Sequence, residues 1–122
     1  MLILFLIGPC ATIQVEFANS AAMLRSKQCG VTGTYTLRQG KTTNGKPDWI
    51  STDGKNAIWW VSNSMWHIAD PKYRGTVSTE LLSSAGTSSP VDQSMKWKWY
   101  DYDNKTWRSS TDDITVICSN GK

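Results

Sequence analysis

From Gly30 onward the chain is cut by turn signals about every eight to twelve residues, and no stretch between them carries a 3.6-residue apolar period over three turns. That rhythm rules out a helical bundle or an α/β sheet, which need longer periodic segments. "TGTYTLRQ" (Thr32 to Gln39) alternates, with Tyr35 and Leu37 on one face and Thr34 and Thr36 on the other. "NGKP" (Asn44 to Pro47) is a turn, because Asn-Gly tolerates positive φ and proline does not continue a ladder in mid-sheet. Strands "DWIS", "AIWWV" and "MWHIA" follow, separated by turns at Asp53-Gly54 and Ser62 to Ser64 and closed by Asp70-Pro71. A strand is expected from Thr76 to Leu82 and a loop over Ser84 to Ser94. Then come "MKWKWYD", a turn at "YDNK", "TWRSS" and a closing "ITVIC". The only short helix expected lies within Ala21 to Lys27. These signals describe an all-β domain, a small antiparallel barrel or sandwich of short hairpins.

The N-terminus differs. Leu2 to Ile7 is an apolar run of h-region length, too short to span a bilayer, and small residues follow at Ala18, Ser20 and Ala22. The expected organisation is a signal peptide over 1–22, a short leader segment over 23–28, one domain over 29–119 and a tail over 120–122. Cleavage at Ala22 would remove Cys10 and leave Cys29 and Cys118, an even count that in a small secreted domain implies a bridge between its first and last strands. The formal charge of +3 is mild, and its Lys and Arg are scattered among Asp and Ser. Nucleic acid is therefore not the expected partner, nor is stable membrane insertion, and the domain is expected to be a monomer.

Seven Trp in 122 residues, three of them in "KWKWYDYDNKTW", pose the functional question. Period-two alternation puts Met95, Trp97 and Trp99 on one face and Lys96, Lys98 and Tyr100 on the other, so that stretch is mainly core. Trp59 and Trp60 are neighbours and must point to opposite faces; one is at the surface unless both faces are covered. Trp49 and Trp107 follow turns. Candidate ligand-binding residues are thus Trp49, Trp59, Trp66, Tyr100, Tyr102 and Trp107, a stacking platform of the kind a sugar ring uses. Asn104-Lys105-Thr106 is an N-x-T acceptor at a hairpin tip, which makes Asn104 the expected glycan site.

Other chemistry is sparse. Asp101, Asp103 and Asp112 have the first, third and last spacing of a calcium loop, but Thr106 stands where its glycine belongs and no helix flanks it. His67 is the sole histidine, and two cysteines with one histidine match no zinc spacing. No metal, cofactor or catalytic residue is expected.

Together "GTYTL", "NGKPDWI", "AIWWV", "MWHIAD", "WKWYD", "TW" and "DITVIC" resemble a Trp-rich β module of invertebrate extracellular multidomain proteins, over Cys29 to Cys118. Ala69 stands where that pattern has Gly. The resemblance implies no catalytic residues and no established ligand. The expected function is a secreted, non-enzymatic recognition or structural module whose partner is an extracellular glycan or protein. One alternative is a lectin-like carbohydrate-binding domain using exposed Trp and Tyr; another is a small secreted hydrolase or toxin-like effector.

Overall fold

Alternating side chains build almost every element of the chain, whose computed structural model describes residues 9–27, 29–61, 65–76, 82–85, 89–92, 96–110 and 113–119. β1 (Thr12–Phe17) buries Ile13 and Val15 completely and exposes Glu16. Helix α1 (Ser20–Ser26) follows. Asn19 caps it by accepting the Ala22 N–H at 2.7 Å, and Lys27 ends it in the left-handed region at φ 57°. After a 3-10 turn at Cys29–Val31 come β2 (Gly33–Thr43), β3 (Lys46–Ser51), β4 (Ala57–Val61), β5 (Met65–Ala69), β6 (Leu82–Ala85), β7 (Trp97–Asp101), β8 (Thr106–Ser110) and β9 (Ile114–Cys118).

The nine strands form one antiparallel sheet in the order β8-β7-β6-β5-β4-β3-β2-β1-β9. Laid flat, nine strands would span about 38 Å at their usual spacing. Yet β8 ends at Ser110 and β9 begins at Ile114, and that length of chain reaches at most about 14 Å. The two ends of the sheet must therefore curl towards each other. Strict alternation of direction also makes β8 and β9 run the same way, so the chain passes from β7 to β1 without reversing. Its first half pairs with β7 through Asp101 and Thr106, its second with β1 through Phe17 and Ile114. The result is an up-and-down barrel with one interruption.

Its interior is filled. Ile13, Val15, Tyr35, Trp49, Ile58, Trp66, Ile68, Trp97, Trp99, Ile114 and Val116 form one buried cluster. Trp66 packs edge-on against Trp49 and Trp60, at ring separations of 5.9 and 5.3 Å. A small barrel has room for such side chains and little else.

Several expectations are corrected. Cys118 bonds Cys10, not Cys29, closing a separation of 108 residues. Residues 12–26 form a strand paired on both sides and a helix packed against β1 and β7, with Ile13, Val15 and Phe17 the inward half of the alternating strand. Pro47 lies within β3, opposite Thr42, beside a register shift between Leu37 and Thr42 that interrupts the regular ladder. The Asn44-Gly45 turn is as expected, with positive φ at both residues. The apolar run at 2–7, the turn at 62–64, most of the strand expected from Thr76 to Leu82, Met95, Asp112 and the tail at 120–122 lie outside the described residues.

Candidate functional site

In the β7–β8 hairpin the register pairs Tyr100 with Trp107 and Lys98 with Ser109, while Trp97, Trp99 and Asp101 point inward. Tyr100 is half-buried at the centre of an outer aromatic cluster. Tyr102 lies 4.8 Å from its ring at 76°, and Trp107 lies 5.5 Å away at 72°. Edge-to-face pairs contribute about 0.5–1.5 kcal/mol each, enough to hold these rings in place. Trp107 is nonetheless 47% exposed and Tyr102 38%.

The tip carrying Tyr102 is fixed from beneath. The fully buried Asp101 carboxylate accepts the Asp103 and Asn104 backbone N–H groups at 3.1 Å on Oδ1. Its Oδ2 accepts Asn104 Nδ2 at 2.8 Å, Arg108 Nε at 2.9 Å and Arg25 Nε at 3.1 Å. Burial pushes this carboxyl up, but the Asn104 side-chain and backbone N–H groups, with Arg108 and Arg25, outweigh burial and hold it well below the usual carboxylate range. The Tyr102 N–H donates to the Arg25 carbonyl at 2.8 Å, joining the tip to the last turn of α1. Lys27 then reaches over Tyr102, its ammonium 5.2 Å from the ring centre.

Beside Trp107 an open depression of about 480 Å³ is lined, among the described residues, by Lys98, Trp107, Arg108 and Ser109. Lys96 and Lys105 of the same hairpin, and Lys27 over Tyr102, are exposed as well, and Asp103 is the one exposed acid among the described residues of the hairpin. A second depression of about 190 Å³, at Thr32, Gly33, Thr34, Ser51, Thr52 and Asp53, has no aromatic wall.

Three sequence candidates thus meet at one place: Tyr100, Tyr102 and Trp107. The other three are core. Trp49 is 2% exposed and donates its indole N–H to the Cys10 carbonyl at 2.6 Å. Trp66 is fully buried inside the barrel. Trp59, on the outer face, is buried as well, because the chain after β5 crosses that face and Thr76 accepts its indole N–H at 3.2 Å. Both faces of β4 are therefore covered, and Ala57, Trp59, Val61 and Ala69 form a second apolar cluster. Trp60, on the inner face, is half-buried, with Lys46 5.1 Å from its ring.

His67 packs against Trp59 in that outer layer, with 1% exposure and no hydrogen-bond partner at Nδ1. Burial lowers its pKa, partly offset by the Trp66 backbone. Among the described residues no group of three or more His, Cys, Asp or Glu gathers where a metal would sit. Asn104 stands on the exposed hairpin tip with its Nδ2, where a glycan would attach, donating to Asp101. No helix among the described residues is long and apolar enough to cross a membrane.

Sequence reasoning missed Lys27 and Arg25, which belong to a segment read as leader, and Asp101 as the organising acceptor. The D-x-D-N pattern, with an aspartate able to accept N–H groups two and three residues on, was the available signal. No family model, curated protein or solved structure matches the chain.

Proposed function

We propose that this chain is a secreted, non-enzymatic recognition module that binds its ligand on the outer face of the β7–β8 hairpin, through Trp107 with Tyr100 and Tyr102. The observation carrying this reading is the exposure of Trp107 in a fold that buries five of its other tryptophans and half-buries the sixth, Trp60. Leaving an indole in water forgoes burial free energy of about 1.5–3 kcal/mol, and here three aromatic rings adjoin in one patch, not scattered singly. Trp and Tyr are the residues that most often anchor interfaces. The patch is also held still by Asp101 and α1, which lowers the ordering cost of binding. The Cys10–Cys118 bridge supports an oxidising, extracellular setting.

The test is a glycan and extracellular-protein array probed with the purified domain and with Trp107→Ala. Ligands captured by the first and lost by the second support the reading. An array on which both behave alike removes it.

A further inference from the structure

The geometry points to an acidic polysaccharide as the ligand of this patch: a sugar ring stacked on Trp107, with its carboxylate or sulfate groups held by Lys98 and Lys96. The inference rests on the Trp107 reading and narrows it to a ligand class.

The argument begins with charge. Lys96 and Lys98 are both exposed and lie one pleat apart on the outward side, so their stems are separated by about 7 Å. Lys98 lines the same depression as Trp107 and Arg108, and Lys27 covers Tyr102 on the other flank. Asp103 is the one exposed acid among the described residues of the hairpin, and the other, Asp101, is fully buried and already accepts Arg25, Arg108 and Asn104. Its charge is therefore directed inward, while the lysines face solvent. A surface with this balance attracts anions, and most strongly a chain carrying them at regular intervals.

The aromatic geometry separates sugar from nucleic acid. Stacking successive bases needs several ring faces open in a row. Here Tyr100 meets both neighbours at angles of 72–76°, so it buttresses them and offers no parallel platform. Trp107 is the one exposed indole, 47% exposed, enough for one pyranose face. The disulfide also favours an extracellular partner.

The test is titration of the intact domain with four probes of matched length: a sulfated glycosaminoglycan oligosaccharide, a polyuronate oligosaccharide, a neutral β-glucan oligosaccharide and a single-stranded oligonucleotide. The two acidic saccharides should bind and the neutral one should bind at least tenfold more weakly, about the loss expected when two exposed charge pairs are absent. The comparison between sulfate and uronate then identifies the anionic group. Lys96→Gln/Lys98→Gln should lower acidic-saccharide affinity by about the same factor, and raising salt from about 0.1 to 1 M should weaken binding of the unaltered domain as the screening length contracts. Equal binding of neutral and acidic saccharides, abolished by Trp107→Ala, would overturn the acidic class while leaving the recognition site in place. Tighter binding of the oligonucleotide would overturn the saccharide. Binding that survives Trp107→Ala, or no binding by any probe, would overturn the inference, and the array with Trp107→Ala decides separately whether the recognition site falls with it.

Discussion

Replacing Cys10 and Cys118 by Ser removes a cross-link that closes 108 residues of chain. In the chain-entropy model a loop of that length is worth about 5 kcal/mol, and losses measured for native bridges in small secreted domains run at about 2–5 kcal/mol. The folded structure offers little compensation or further penalty. Cys118 is exposed at the end of β9, and the β1–β9 pairing from Phe17–Ile114 to Gln14–Ile117 does not require the bond. Ile114 and Val116 are buried in the main core cluster. The effect therefore acts mainly on the unfolded chain, and a loss of about 3–5 kcal/mol is expected from a domain whose total is of the order of 5–15 kcal/mol. With a urea slope of about 1.5 kcal/mol per molar, the midpoint should fall by about 2–3 M and the slope should rise, because the uncrosslinked unfolded chain exposes more surface. Urea unfolding followed by circular dichroism measures both. Cys29→Ser should leave the bridge in place, and non-reducing peptide mapping should recover Cys10 joined to Cys118. A Cys29–Cys118 peptide, or a Cys29→Ser midpoint that falls as far as the double variant's, would refute the assignment.

The division of tryptophans is checked by the same melts. Trp99→Phe, which removes part of a fully buried indole and its 3.1 Å bond to Asp113, should cost about 2–3 kcal/mol, whereas Trp107→Ala should cost about 1 kcal/mol or less; equal losses would contradict it. Lys105 holds φ 53° at the end of the β7–β8 loop, so Lys105→Gly should raise stability by about 1 kcal/mol, seen as a rise of several degrees in Tm. Burial depresses the His67 pKa below its ordinary value of 6.5. The unfolded chain thus takes up the proton first, and stability that is complete above that value should fall as pH drops through it. His67→Leu should flatten that part of the profile, and an unchanged pH slope in the variant would count against the buried, neutral histidine.

Alternation and turn chemistry make most of the fold readable in the sequence. Tyr35 and Leu37, Trp66 and Ile68, and Trp97 and Trp99 face the core as period two requires, and Asn44-Gly45 makes the expected hairpin. What sequence could not show depends on contacts distant along the chain. The segment from Thr12 to Phe17 alternates, but it follows an apolar run and precedes small residues, so sequence alone points to a leader there and not to β1. With it went the correct partner of Cys118. Trp49 follows a turn and looked peripheral; only the barrel's curl brings it against Trp66. Trp59 was ambiguous from neighbouring indoles alone, since its burial comes from the chain that crosses the outer face after β5. At the site, Tyr100, Tyr102 and Trp107 were legible as residues left over by strand alternation. Lys27 and Arg25 were not, because their place beneath and beside the tip is set by how α1 docks on β7.

On the proposed function one exposed indole does the recognising while the buried ones hold the barrel together. Indole N–H resonances of an isotope-labelled domain, followed during titration with an acidic oligosaccharide, address it directly. The expected result is a saturable shift at Trp107, with the buried indoles of Trp49, Trp59, Trp66, Trp97 and Trp99 unmoved. A shift that leaves Trp107 still and moves a buried indole would contradict it, as would a full titration in which no indole responds.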